Sequence, residues 1–101
     1  MAGRIIWSPR AANQLENICE YIAVDSPAYA KVFAQKVIAI VKSIPSFPEV
    51  GRIVPEYENK TLREKIYNNY RIVYRVHANR IEIAAICHCA QLISNAMSHL
   101  D

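Results

Sequence analysis

The chain has 101 residues, 52% of them hydrophobic and only 2 of them glycine, with a net charge of +3. That length supports one modest core over 1–101, a single domain, and the composition excludes a disordered chain. No apolar run approaches the roughly 18–20 residues of a membrane span, and the start lacks a basic-then-apolar leader, so no membrane contact and a cytoplasmic location are the expectations.

Gly3–Trp7 reads as a short first strand. Ser8-Pro9 then opens a helix, with serine as N-cap and proline at the first helical position. Leu15, Ile18, Cys19 and Ile22 recur at helical spacing behind a polar face of Asn13, Gln14, Glu16, Asn17 and Glu20. Asp25-Ser26-Pro27 repeats the stop-and-start signal. A second helix follows, with Ala30, Phe33, Val37, Ile40, Val41 and Ile44 on one stripe. So short a connection predicts an antiparallel helix hairpin, and Trp7 is expected to fill the core beneath it.

From Pro45 to Thr61 the pattern breaks. Pro45, Pro48, Gly51 and Pro55 all fall here, which predicts a long connection without regular structure, pinned by Phe47, Val50 and Val54. Three antiparallel strands follow, at about Arg63–Tyr67, Tyr70–Val76 and Arg80–His88. Leu92, Ile93, Ala96, Met97 and Leu100 lie at helical spacing, compatible with a short terminal helix. The sum is an α+β domain: an N-terminal strand and a helix hairpin packed on one face of a roughly four-stranded antiparallel sheet.

Charge is unevenly spread. Residues 60–80 hold Lys60, Arg63, Lys65, Arg71, Arg75 and Arg80 against Glu64 alone, while acids outnumber bases over the rest of the chain. Alternation puts Ile72, Tyr74 and Val76 on one strand face and Arg71, Val73 and Arg75 on the other. A turn centred between Ala78 and Asn79 sets Arg75 opposite Glu82, a favourable cross-strand pair. The same register sets Arg71 opposite Ile86 and diagonal to His88, on one face. A cationic cluster of Arg63, Lys65, Arg71 and His88 is therefore expected on an open sheet face, suited to phosphate-bearing or acidic partners. Tyr70 and Tyr74 read as packing residues with a wet hydroxyl more than as stacking platforms.

Cys19, Cys87 and Cys89 make an odd set, which fits free thiols in a reducing compartment. Cys87-His88-Cys89 is no zinc signature, because the histidine and the two cysteines point to opposite strand faces and no second ligand pair exists. No metal and no cofactor are expected, and Cys87 reads as a core thiol.

Several pieces carry a resemblance in order and spacing: Trp7-Ser8-Pro9, Ser26-Pro27, Gly51-Arg52…Val54-Pro55-Glu56, Leu62-Arg63-Glu64, Tyr70-Arg71-Ile72-Val73-Tyr74-Arg75-Val76 and the late His88. Over about residues 5–88 the chain resembles the RelE/ParE toxin superfamily of type II toxin–antitoxin modules, nearest its plasmid-stabilisation, ParE-like branch. The resemblance implies the fold just outlined and a hetero-oligomer with a cognate antitoxin, whose acidic segment folds over the toxin. It implies one of two targets. ParE-like members inhibit DNA gyrase without known chemistry of their own, whereas RelE-like members cleave mRNA on the ribosome without a metal.

For cleavage, Arg71 matches the arginine of the superfamily's Tyr-Arg-x-x-Tyr strand, and His88 is the candidate acid or base, since imidazole titrates near neutrality. Arg63, Lys65, Tyr70, Arg71 and Arg75 are the candidate binding residues. Nuclease members commonly carry a tyrosine and an arginine after the last strand, and this chain has neither beyond Arg80. That departure favours gyrase inhibition over RNA cleavage. A degenerate, non-toxic antitoxin-binding module is the third alternative.

Overall fold

The computed structural model describes residues 3–90. Strand β1 (Arg4–Trp7) leads into α1 (Pro9–Asp25) and α2 (Pro27–Ser43), and a single 3₁₀ turn (Ile44–Ser46) follows. Four further strands complete the fold: β2 (Arg52–Ile53), β3 (Leu62–Tyr67), β4 (Tyr70–Val76) and β5 (Arg80–His88). The α+β class and the helix hairpin are as expected. The expected segment at 91–100 lies outside the described residues.

Two serines punctuate the helices. The Ser8 hydroxyl accepts the Ala11 N–H at 3.0 Å, with Pro9 occupying the first turn, where no N–H is needed. Ser26 ends one helix and starts the next. Its N–H donates to the Ile22 carbonyl at 2.9 Å, and its hydroxyl accepts the Tyr29 N–H at 3.1 Å. A cap of this kind stabilises a helix by about 1 kcal/mol.

The sheet has five strands in the order β1-β5-β4-β3-β2, one more than expected, and it is mixed. β1 runs parallel to β5, from Arg4↔Arg80 to Trp7↔Ile83, because the whole hairpin and meander intervene before the chain returns beside it. The added strand is β2, which pairs Arg52 with Glu64 and Ile53 with Arg63 inside the segment expected to be irregular. Two residues flanked by glycine and proline leave no periodicity to read.

The hairpin covers one sheet face. Ala11, Phe33, Val37, Val41 and Ile44 meet Ile72, Tyr74, Ile81, Ile83 and Ile86 in the main core, with Trp7 partly buried at its margin. Phe33 packs on Tyr67 and Tyr70, at centroid separations of 5.8 and 5.0 Å. A second, smaller cluster lies on the opposite face: Val54, Leu62, Val73, Ala84, Ala85 and Cys87. That face is therefore not the open surface expected, because the chain that follows β2 folds back across part of it.

One irregularity re-phases β5. Arg75 pairs with Glu82 and Tyr74 with Ile83, as the turn predicts, but Val73 pairs with Ala85, so Ala84 is an extra residue. Beyond this bulge the register moves by one, giving Arg71↔Cys87 and Tyr70↔His88 in place of Arg71↔Ile86. A one-residue slip moves side chains to the other face of a strand. His88 is thereby placed on the helix face.

Candidate functional site

Leu62, Glu64 and Ile66 alternate along β3 on the face away from the helices, and Arg71 shares that face on β4. Glu64 is fully buried there, between two arginines. Its Oε1 accepts from Arg71 Nε at 2.6 Å, and its Oε2 is paired with Arg52 Nε across β2. The other edge of the Arg71 guanidinium is taken by Glu56, whose two carboxylate oxygens accept from Nη1 and Nη2 at 2.8 and 2.9 Å. Arg71 thus uses its planar fork on two acids at once, one per edge. The order Arg52–Glu64–Arg71–Glu56 is a neutral ladder that ties residues 52–56 to β3 and β4.

The electrostatics follow from that geometry. Hydrogen bonding to Glu56 raises the Arg71 pKa against the opposing effect of burial. The Arg71 hydrogen bond in turn holds the Glu56 carboxyl below its ordinary range. Arg71, expected as an exposed ligand-binding cation, is 6% exposed and already occupied. Glu64 and Glu56 were not legible as site residues from charge counting. An acid alternating with Leu62 and Ile66 on one strand face was the available signal, since a buried carboxylate there needs a cation beside it.

The other expected members are dispersed. Arg63 and Lys65 share the face of Tyr67, opposite to Arg71. Arg63 holds the preceding loop, donating through Nη1 to the Glu49 and Gly51 carbonyls at 3.1 and 3.0 Å and through Nε to Lys60 O at 3.1 Å. Arg75 lies level with Leu62 and Glu82, on the Arg71 face. The Glu82 carboxylate lies 3.1 Å from His77 Nε2. Tyr74 has no wet hydroxyl. It is fully buried, donates to Pro48 O at 2.8 Å and accepts from Gly51 N at 3.0 Å.

Arg71 and His88, expected side by side, stand on opposite sheet faces because of the bulge at Ala84. His88 is brought instead to Tyr70, ring edge to ring face with centroids 5.3 Å apart, and its Nδ1 accepts the Ala90 N–H at 3.0 Å. It borders a groove of about 310 Å³ between α1 and the end of β5, lined by Gln14, Asn17, Ile18, Tyr21, Tyr70 and Ile86 among others. Burial raises the Tyr70 phenol pKa. The described residues therefore gather no arginine, acid and base around one point where a phosphate would react.

A helix hairpin packed on one face of a five-stranded mixed sheet defines the chain as an α+β protein with a RelE/ParE-like fold. The comparisons with known proteins agree. A family model described as the ParE toxin of the type II toxin–antitoxin system, parDE, matches residues 5–93. Toxin RelE2 of Caulobacter vibrioides is 32% identical over 90 residues, which span 88% of this chain and 98% of that protein. A solved structure titled "Chromosomal ParDE TA system from P. aeruginosa" superposes with a TM-score of 0.70 at 23% identity, over 84% of this chain and 94% of that one. The chain belongs to the ParE toxin family of type II toxin–antitoxin systems.

Proposed function

We propose that this protein is the toxin of a type II pair, that a cognate antitoxin neutralises it as a hetero-oligomer, and that it acts by binding DNA gyrase, not by cleaving RNA. The observation that carries the choice of target is the engagement of Arg71 by Glu64 and Glu56, with His88 on the far side of the sheet. Metal-free RNA cleavage needs a base at the 2′-hydroxyl, cations at the phosphorane and an acid at the leaving oxygen, all within a few ångströms. Arg71 would have to abandon two carboxylates, one of them fully buried, before it met a phosphate. Inhibition through surface contact makes no such demand.

Two assays with purified protein separate the readings. Blocked supercoiling by gyrase with intact ribosome-bound mRNA is the expected result. Codon-dependent cuts in that mRNA, lost in His88→Ala, would replace it with the nuclease reading. Absence of both effects, with an antitoxin complex still formed, would leave a degenerate module that only binds its partner.

A further inference from the structure

The sheet face away from the helices carries a second charged group beyond the Glu64–Arg71 ladder. β1 and β5 run in register, and Ile5, Trp7, Ile81 and Ile83 pack with the core under the helices. Arg4, Ile6, Arg80 and Glu82 therefore turn the other way, onto the face that Arg75 shares from β4. Arg4 stands directly beside Arg80, their backbones one strand spacing of about 4.8 Å apart. Like charges in that position repel and destabilise a sheet. Among the described residues neither arginine meets a carboxylate, and Arg80 reaches only the Asn79 side-chain oxygen, at 3.5 Å. The one acid of the group, Glu82, lies 3.1 Å from His77 Nε2 and opposite Arg75.

We infer that Arg4 and Arg80 are a phosphate contact for double-stranded DNA, so that the protein meets gyrase together with the DNA that gyrase holds; the choice of DNA over RNA rests on the gyrase reading above. Three arginines against one carboxylate, spread over a pleated strand face, complement a polyanion. A guanidinium offers its planar fork to phosphate oxygens, and two of them side by side can serve neighbouring phosphates of a duplex. The same surface is poorly suited to a protein partner. Protein interfaces are built on an apolar centre depleted of charge, whereas Ile6, 38% exposed, is the sole apolar member among the described residues of this group. The repulsion between Arg4 and Arg80 is relieved when an anion lies across both.

The test measures binding of the full chain to gyrase alone, to gyrase loaded with a linear DNA duplex, and to the duplex alone, across a salt series. Arg4→Gln with Arg80→Gln removes both contacts without touching the core, and its Tm is expected to be no lower than the parent's, because the like-charge pair is gone. The parent is expected to bind DNA-loaded gyrase more tightly than gyrase alone, and this variant is not. Each phosphate contact contributes about 0.9 to the slope of log affinity against log salt, so the variant's slope should be shallower by about 1.8. Its deficit should accordingly shrink about twelvefold between roughly 50 and 200 mM salt. Arg4→Lys with Arg80→Lys keeps both charges and should keep the slope. Equal slopes in the parent and the glutamine variant, with gyrase binding intact, would overturn the DNA contact and leave the gyrase reading standing. Weaker binding of the glutamine variant to gyrase alone would assign the arginines to a protein partner and overturn the DNA contact too. Arginine-dependent binding to the duplex without binding to gyrase would keep the phosphate contact and remove the gyrase reading. Absence of binding to all three would remove both.

Discussion

Arg71 Nε lies 2.6 Å from Glu64 Oε1, with the glutamate side chain fully buried and the arginine 7% exposed. Each is the condition of the other's burial. Desolvating a carboxylate costs several kcal/mol, recovered only when the geometry is good and the remaining lone pairs are used, which Arg52 and the Arg71 fork supply here. Arg71→Ala is expected to destabilise the fold by about 3–5 kcal/mol, because it leaves Glu64 short of a partner and frees Glu56. Denaturant unfolding checks the value. Any loss of toxicity in that variant would come with a large drop in Tm. Arg71→Ala combined with Glu64→Leu should recover part of the loss, and a double variant no better than the single one would show that the pair is not the source.

The ladder also predicts an acid limb. Glu56 has its pKa lowered by the Arg71 hydrogen bond, so the folded state binds the proton less readily than the unfolded chain does. Its contribution is present above the ordinary value of 4.5 and is lost as pH falls below it through the depressed one. Tm is expected to decline between about pH 5 and 3, less steeply in Glu56→Gln than in the parent. With 37% of its side chain exposed, Glu56 contributes only modestly. An unchanged slope in Glu56→Gln would place the acid sensitivity elsewhere.

Much of the fold was legible because its signals are local. Ser8-Pro9 and Ser26-Pro27 mark both helix starts, and alternation along Tyr70–Val76 assigns the faces of β4 correctly. The parallel placement of β1 and the two-residue β2 are long-range facts that no window of sequence contains. The expected meeting of Arg71 and His88 failed at a single residue. An apolar run such as Ile83-Ala84-Ala85-Ile86 does not reveal which position is skipped, yet skipping Ala84 decides which face His88 occupies. Charge counting also treated Arg71 as a surface cation, since its buried acidic partner, Glu64, lies seven positions earlier, in the apolar stripe of β3.

Gly51 tests how closely the 45–61 segment must sit on the sheet. A Cβ at this position would lie 2.5 Å from the Tyr74 hydroxyl and 2.7 Å from the Glu64 carbonyl oxygen. The carbonyl belongs to a paired strand and cannot retreat, and the hydroxyl is held by Pro48 and by Gly51 itself. Gly51→Ala is therefore expected to push β2 outward and to cost about 1–3 kcal/mol, with loss of the Tyr74 hydrogen bonds. Equilibrium unfolding gives the cost. Tyr74→Phe in the Gly51→Ala background should relieve part of it, and a fully additive double variant would deny that the two residues compete for the same space.

The three free thiols sit in three environments and should separate in one experiment. Cys89 is exposed, Cys19 intermediate and Cys87 buried. Burial raises the Cys19 pKa and pushes that of Cys87 up to about 11. The thiolate is the reactive form, so a thiol-specific chromogenic reagent at neutral pH should modify Cys89 first, Cys19 more slowly, and Cys87 only on global unfolding. The same burial predicts an alkaline limb. The unfolded chain loses the Cys87 proton near 9.0, whereas the folded chain keeps it to about 11, so this contribution is present below 9.0 and disappears as pH rises toward 11. Tyr70 and Tyr74 shift the same way from 10.0, which leaves the interval between 9 and 10 to the cysteines. Cys87→Ala should flatten the fall in Tm across that interval. A buried thiol modified as fast as Cys89 in the folded protein would mean that the second cluster under residues 54–61 opens far more readily than its packing implies.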